Sequence, residues 1–238
     1  NTDGVEHKRE KWGFLASNFL KISEMIAVRS ATRLVADNKG IDHYIYNEYD
    51  RKVNATIAYG GVDFIPEKPI HLNKYNFPDK SYDMAIARIV PENNIEIILN
   101  TYNKTDQPLI FIGNWDSSDY SINLKNNKWN TNIHIMAADY DENRITSLRN
   151  SCRYYIHGHS AGGTNPSLVE ALSIGCNILC YDVNFNRYVL KDNAKYWSTK
   201  HELKSLIESE PNFEKEIIQN YYQNNFDWKL IANQYESI

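Results

Sequence analysis

Residues 153–182 read RYYIHGHSAGGTNPSLVEALSIGCNILCYD, and the order of their patterns decides the fold. A short hydrophobic stub, RYYIHG, runs into a polar stretch with two adjacent glycines, Gly162 and Gly163, and a Thr-Asn-Pro. PSLVEALSIG then reads as a helix, and NILCYD is a second short apolar run. Asn165 suits a helix N-cap and Pro166 the first helical position. The stretch is therefore expected to form strand, loop, helix and strand.

The same beat begins at Tyr82. DMAIARI, PLIFIGN and NIHIMAA read as strands, and PENNIEIILNTYN and DENRITSLRNS as helices. Short apolar strands alternating with helices imply a parallel sheet covered on both faces. The expected fold class is α/β, a doubly wound Rossmann-like sheet with ligands at the carboxyl edges of its strands. The Asn-rich residues 123–132 read as an exposed loop, and the chain beyond residue 182 as helical segments.

Before this region, residues 17–31 carry Phe19, Ile22 and Ile26 at helical spacing, with Ser17 or Asn18 as the cap. Residues 33–37 read as a short strand, 38–49 as a short helix, and 54–64 as a strand ending in Gly60-Gly61. A Pro-containing connector, 65–78, follows, so a boundary is expected that divides the chain into 1–61 and 62–238. The last helix is expected to pack back on the first unit. The opening lacks an initiator Met and enters a helical pattern at once, which reads as the middle of a domain and suggests truncation or processing.

At 238 residues the chain suffices for one large domain, or one domain and part of another. Its 26 Lys and Arg against 30 Asp and Glu form no long basic block, which argues against nucleic acid or an anionic membrane as the default partner. A neutral or locally anionic small ligand fits better. Three cysteines without a repeated C-x-x-C argue against a disulfide framework or a zinc ribbon and suit a reducing cytoplasm. No apolar run approaches the roughly 18 to 20 residues of a membrane span, and no signal peptide pattern is present.

Four candidate ligand loops each follow an expected strand: Arg88, the pair Gly113 and Asn114, the pair Asp139 and Tyr140, and residues 157–165. Gly162 and Gly163 can adopt positive φ and let backbone amides approach an anion, with the start of the next helix facing the same spot. The alternative is an ordinary strand-to-helix turn. Arg88 offers a cationic fork for a diphosphate, or else a solvated charge. Glu170 can accept hydrogen bonds from two vicinal hydroxyls, as a ribose clamp does, or can be a surface glutamate. His157 and His159 are expected to point to opposite sides of an extended segment, a poor geometry for one metal ion, so no metal site is expected. A hydrogen-bonding role in the loop suits His159 better. Cys176 and Cys180 read as core thiols. The cluster Asp139, Asp141 and Glu142 reads as a helix-start cap before an acid/base pair.

Taken together, ARIVPENN and HGHSAGGTNPSLVEALSIGCNILCYD resemble the donor-binding half of the retaining GT-B glycosyltransferases of family 4, and within them bacterial rhamnosyltransferase-like proteins of surface polysaccharide synthesis. DGVEHKREKW, SEMIAVRSATRLVADNKGI and IAYGG resemble the closing part of the N-terminal, acceptor-side domain of that subfamily, so residues 1–61 would be its remnant. The resemblance implies transfer of a sugar such as L-rhamnose, with retention, from a nucleotide-diphosphate donor such as dTDP-rhamnose to a glycan or lipid-linked glycan. It implies no cofactor and no divalent metal, and a cytoplasmic setting with room for work beside the inner face of the membrane. Arg88 would be the diphosphate arginine and Glu170 the second glutamate of the E-x(7)-E element. Asn93, Gly113, Asn114, Tyr140, His159, Ser160, Gly162, Gly163, Thr164 and Asn165 would complete the donor site. The chain departs from the family pattern at Gly162, where many members carry the first glutamate, and at Asn93, where they carry a lysine. A GT-B epimerase and a catalytically silent nucleotide-sugar-binding module are the competing readings.

Overall fold

The computed structural model describes residues 5–8, 12–62 and 77–238. The second part of the chain is a six-stranded, wholly parallel sheet of β3 (Asp83–Ile86), β4 (Leu109–Gly113), β5 (Ile133–Ala137), β6 (Tyr155–His157), β7 (Ile178–Tyr181) and β8 (Lys195–Trp197). Its spatial order is β5-β4-β3-β6-β7-β8, so the chain winds outward in one direction, returns to the centre and winds the other way. The helices between strands are α3 (Ile95–Tyr102), α4 (Asp119–Lys125), α5 (Glu142–Ser151), α6 (Pro166–Ile174) and α7 (Asn184–Leu190). Helices α8 (Lys200–Ser209), α9 (Lys215–Phe226) and α10 (Trp228–Glu236) follow β8.

Strand periodicity divides the core into two layers. Met84, Ile110, Ile112, Tyr155, Ile178 and Cys180 face α5, α6 and α9, where Leu148, Leu168, Leu172 and Ile218 close the layer. Ala85, Leu109, Phe111, Ile156 and Leu179 face α3 and α8, which contribute Ile95, Ile98, Leu99 and Leu203. The central junction is narrow: β3 and β6 share the register pair Met84 and Tyr155. At its amino end the buried Asp83 accepts hydrogen bonds from Arg153 at 2.9 and 2.8 Å, from the Tyr102 hydroxyl at 2.6 Å and from the Tyr154 amide at 3.2 Å.

The first part of the chain holds α1 (Phe14–Ser30), α2 (Lys39–Tyr49) and a two-stranded parallel sheet of β1 (Val35–Ala36) and β2 (Ala55–Thr56). Val28, Leu34, Ala36, Ile41 and Ile45 form its small core. Leu15, Phe19, Ile22 and Ile26 share the opposite, exposed side of α1. Helix α10 crosses to this part: Ile231 is buried with Val35 and Ile57, and Trp228 donates to the Gly61 carbonyl at 2.8 Å.

Several expectations are corrected. Helix α1 starts at Phe14 after Gly13, not at a Ser17 or Asn18 cap, and β2 ends at Thr56 rather than running through Gly60-Gly61. The Asn-rich stretch begins inside α4, and its end is anchored because Asn132 donates to the carbonyls of Tyr102, Thr105 and Gln107. The tail contains β8, whose KYW offers no apolar run, since only Trp197 is buried. Most of the connector 65–78 lies outside the described residues.

The largest correction concerns the glycine pair. Gly162 has φ 111°, but Gly163 does not take positive φ. A Cβ on Gly163 would lie 2.2 Å from Asp37 Oδ2, so close approach of a carboxylate excludes a side chain there. Asp37, at the end of β1, accepts from the Thr164 amide at 2.8 Å, and the Thr164 hydroxyl donates to the Asp37 carbonyl at 2.5 Å. Asn38 caps α2 and also donates to the Phe185 carbonyl at 3.2 Å. The N-terminal part is thus clasped to the loop after β6.

Two predictions follow from this packing. Gly163→Ala should destabilise the chain by about 1–3 kcal/mol through overpacking, a fall in Tm of roughly 2–4 °C per kcal/mol. Because Asp37→Ala removes the obstructing carboxylate, the double variant should lose less than the sum of the single losses; additive losses in thermal melts would show that the two residues do not meet. The second prediction concerns His157, which is buried at the end of β6. Burial first, then the neighbouring His159 and Arg149, hold its imidazole well below the ordinary histidine range. The unfolded chain takes up that proton near pH 6.5 while the folded chain does not, so stability is present above about pH 6.5 and declines below it, by up to about 1.4 kcal/mol per pH unit. His157→Leu should flatten the dependence of Tm on pH in this window; a residual slope is expected from His134, which burial also lowers.

Candidate active site

The two halves of the sheet turn away from each other between β3 and β6, and a cleft opens there at the carboxyl edges, where such sheets bind ligands. Two hollows of about 410 and 900 Å³ meet at Arg88, His159, Asn165 and Pro166. The smaller is lined by Asn93, Ser160, Gly162, Gly163 and Thr164, together with Tyr59. The larger is lined by Gly113, Asn114, Tyr140 and Glu170. Every residue expected at the donor site therefore borders one continuous cleft.

Its floor is stitched from the two loops at the centre of the sheet. Asn94 donates to the Gly158 carbonyl at 2.8 Å, while the amide and hydroxyl of Ser160 both reach the Glu92 carbonyl, at 3.0 and 2.7 Å. The Asn93 side chain donates to the Arg88 carbonyl at 2.7 Å, which turns it onto its own loop rather than into the cleft. These bonds fix the backbone from which Arg88 projects. The Arg88 side chain is exposed at the mouth and has no ion-pair partner among the described residues.

Across the cleft, Asn165 caps α6 by accepting from the Ser167 amide at 3.0 Å, and Pro166 occupies the first turn. The positive end of the α6 dipole thus faces the region of Arg88. Thr164 does not contribute a free amide to an anion, because Asp37 holds it. Glu170, on the second turn, keeps its side chain one-third exposed toward the larger hollow and pairs with Arg149 at 2.5 Å. Tyr140 is 92% exposed at the rim.

His157 and His159 lie on the same side with rings stacked 4.4 Å apart at 14°, which corrects the expectation of opposite sides. Residues two apart on an extended segment share a face. Among the described residues no group of three or more His, Cys, Asp or Glu is placed to hold a metal ion. The acidic cluster is engaged structurally: Asp141 caps α5, and Asp139 pairs with Arg144. Cys152, Cys176 and Cys180 are buried free thiols.

Two residues of the site escaped the sequence reading. Asp37 follows a strand, the same placement that singled out the other loops. Arg149 stands four residues after Ile145 and beside Leu148 on the buried side of α5, where a charge demands a partner.

Residues 1–62 match the model of a domain of unknown function, DUF1972, and residues 67–223 match that of glycosyl transferases group 1. No curated protein matches the chain. Among solved structures, sucrose-phosphate synthase from Thermosynechococcus elongatus superposes with a TM-score of 0.81 at 11% identity over 98% of this chain and 64% of its own. Anabaena HepE in complex with UDP-glucose gives 0.77 at 14% identity, over 93% of this chain and 68% of its own. TarM gives 0.77 at 10% identity, over 99% of this chain and 49% of its own. The chain thus spans about half to two-thirds of the length of these structures, with which it shares the GT-B arrangement. With two-thirds of its length matched by one family model, the chain belongs to the glycosyl transferases group 1.

Proposed function

We propose that the chain is the donor-binding part of a glycosyltransferase that moves a sugar from a nucleotide diphosphate to a glycan acceptor. The observation that carries this reading is the exposed Arg88 facing the capped start of α6 across the switch-point cleft. HepE, which shares the fold, is bound to UDP-glucose, in keeping with a nucleotide-sugar donor. The resemblance of residues 157–182 to rhamnosyltransferase-like proteins supports dTDP-L-rhamnose as the donor, retention as the outcome, and a glycan or lipid-linked glycan of a bacterial surface polysaccharide as the acceptor.

In this reading the base and pentose occupy the larger hollow, between Gly113, Asn114, Tyr140 and Glu170, and the diphosphate lies at the junction of the two hollows. Negative charge develops on the leaving diphosphate as the bond to the sugar breaks. The α6 terminus meets it with dipoles already oriented, and Arg88 adds a positive charge from the mouth of the cleft. Gly162 leaves the sugar without the carboxylate that many family members place there.

A binding module without turnover is the second reading, favoured by the engagement of the Thr164 amide with Asp37. Incubating the protein with a panel of nucleotide sugars, with and without glycan acceptors, separates the two: glycosylated product supports transfer, and tight binding with no product under any acceptor supports the module. At the diphosphate, Arg88→Ala should weaken a nucleoside diphosphate by about 1.5–3 kcal/mol, roughly ten- to a hundredfold in Kd, and leave the nucleoside unchanged. Equal losses for both ligands in calorimetry would place Arg88 outside the phosphate site.

A further inference from the structure

The guanidinium of Arg149 is almost wholly buried beneath the larger hollow, with its side chain 4% exposed, and each of its ends is engaged by α6. Nη1 lies 2.5 Å from Glu170 Oε2, and Nη2 donates to Ser167 Oγ at 3.2 Å. Ser167 Oγ is in turn 2.6 Å from the Tyr155 hydroxyl, and the guanidinium lies 5.7 Å from the centre of the Tyr155 ring. The fork is therefore held by Ser167 on the helix and by the Tyr155 ring on the strand before it meets the carboxylate. Glu170 is one-third exposed and borders the cleft. One carboxylate oxygen is anchored from below, and the group remains open to a ligand from above.

Resting on the reading of Glu170 as the sugar clamp of a nucleotide, we propose that Arg149 is the positioning residue for that clamp. An unpaired glutamate on a helix surface samples several rotamers, and a hydroxyl that binds it must first select one. Arg149 makes that selection in advance. Its bond to Oε2 holds the carboxylate at the height of the pentose and directs Oε1 to a single sugar hydroxyl. Arg149 thus determines recognition of the pentose hydroxyl without touching the nucleotide.

The test measures Kd by calorimetry for thymidine diphosphate and for its 2′,3′-dideoxy analogue, which lacks the pentose hydroxyl. The protein should prefer the hydroxylated ligand. Arg149→Met should reduce that preference by about tenfold through weaker thymidine diphosphate binding, with the dideoxy analogue unaffected, and Arg149→Lys should restore part of it. Ser167→Ala, which releases one arm of the guanidinium without leaving a charge unpaired, should produce a smaller loss confined to the same ligand, and it serves where Arg149→Met fails to fold. Preference lost in Glu170→Ala but intact in Arg149→Met and Ser167→Ala overturns the proposal and leaves the clamp standing. Preference unchanged in Glu170→Ala overturns the clamp, and the proposal with it. Equal weakening of both ligands in the Arg149 variants shows a purely structural role and also overturns the proposal.

Discussion

The buried carboxylate of Asp83 holds the centre of the sheet, and the site depends on it. Strands β3 and β6 meet through one register pair, so the junction has little ladder of its own. Arg153, Tyr102 and the Tyr154 amide converge on Asp83 at the amino end and tie β3, β6 and α3 together at the edge opposite the cleft. With that end fixed, the carboxyl ends can diverge without the sheet parting. A buried ion pair of this kind brings little net stability, but removing one partner would leave an uncompensated charge in the core.

The second constraint is the clasp between Asp37 and the loop after β6. A loop rich in glycine can in principle serve an external anion, yet here an internal carboxylate takes the Thr164 amide and requires Gly163 to lack a side chain. The two glycines therefore act differently. Gly162 lets the chain turn, and Gly163 lets the N-terminal part approach. The loop after β6 is shaped from both sides, so a displacement of the N-terminal part would reach the cleft through the direct Asp37–Thr164 hydrogen bonds rather than through any long relay.

The sheet was legible because its strands are short, apolar and regularly spaced, and each ligand loop could be located from the strand before it. The cap of α6 was legible for a local reason: Asn165 and Pro166 act within one turn. What lay hidden depended on partners distant in sequence. Nothing near Gly163 points to Asp37, and nothing near Glu170 points to Arg149, although a lone arginine on the buried side of α5 signalled that some acid must lie opposite. The orientation of His157 and His159 was readable from the period of a strand and was misjudged. Strand β8 escaped because its KYW is no apolar run, with Lys195 exposed and only Trp197 buried, and its place is set by pairing with β7.

Helix α10 gives the chain an unusual timetable. The small sheet of the first part is completed by Ile231, which closes over Val35 and Ile57, and Trp228 seals the Gly60-Gly61 segment from the same side. During synthesis the first part leaves the ribosome long before these residues exist. Its apolar surface must wait, uncovered, until the residues of α10 have been added. Domains ordinarily fold as they emerge, from the N-terminus onward. Here a small unit is closed by a helix far later in sequence, which prolongs the interval in which a nascent chain is open to misassociation and gives chaperones a reason to attend to it.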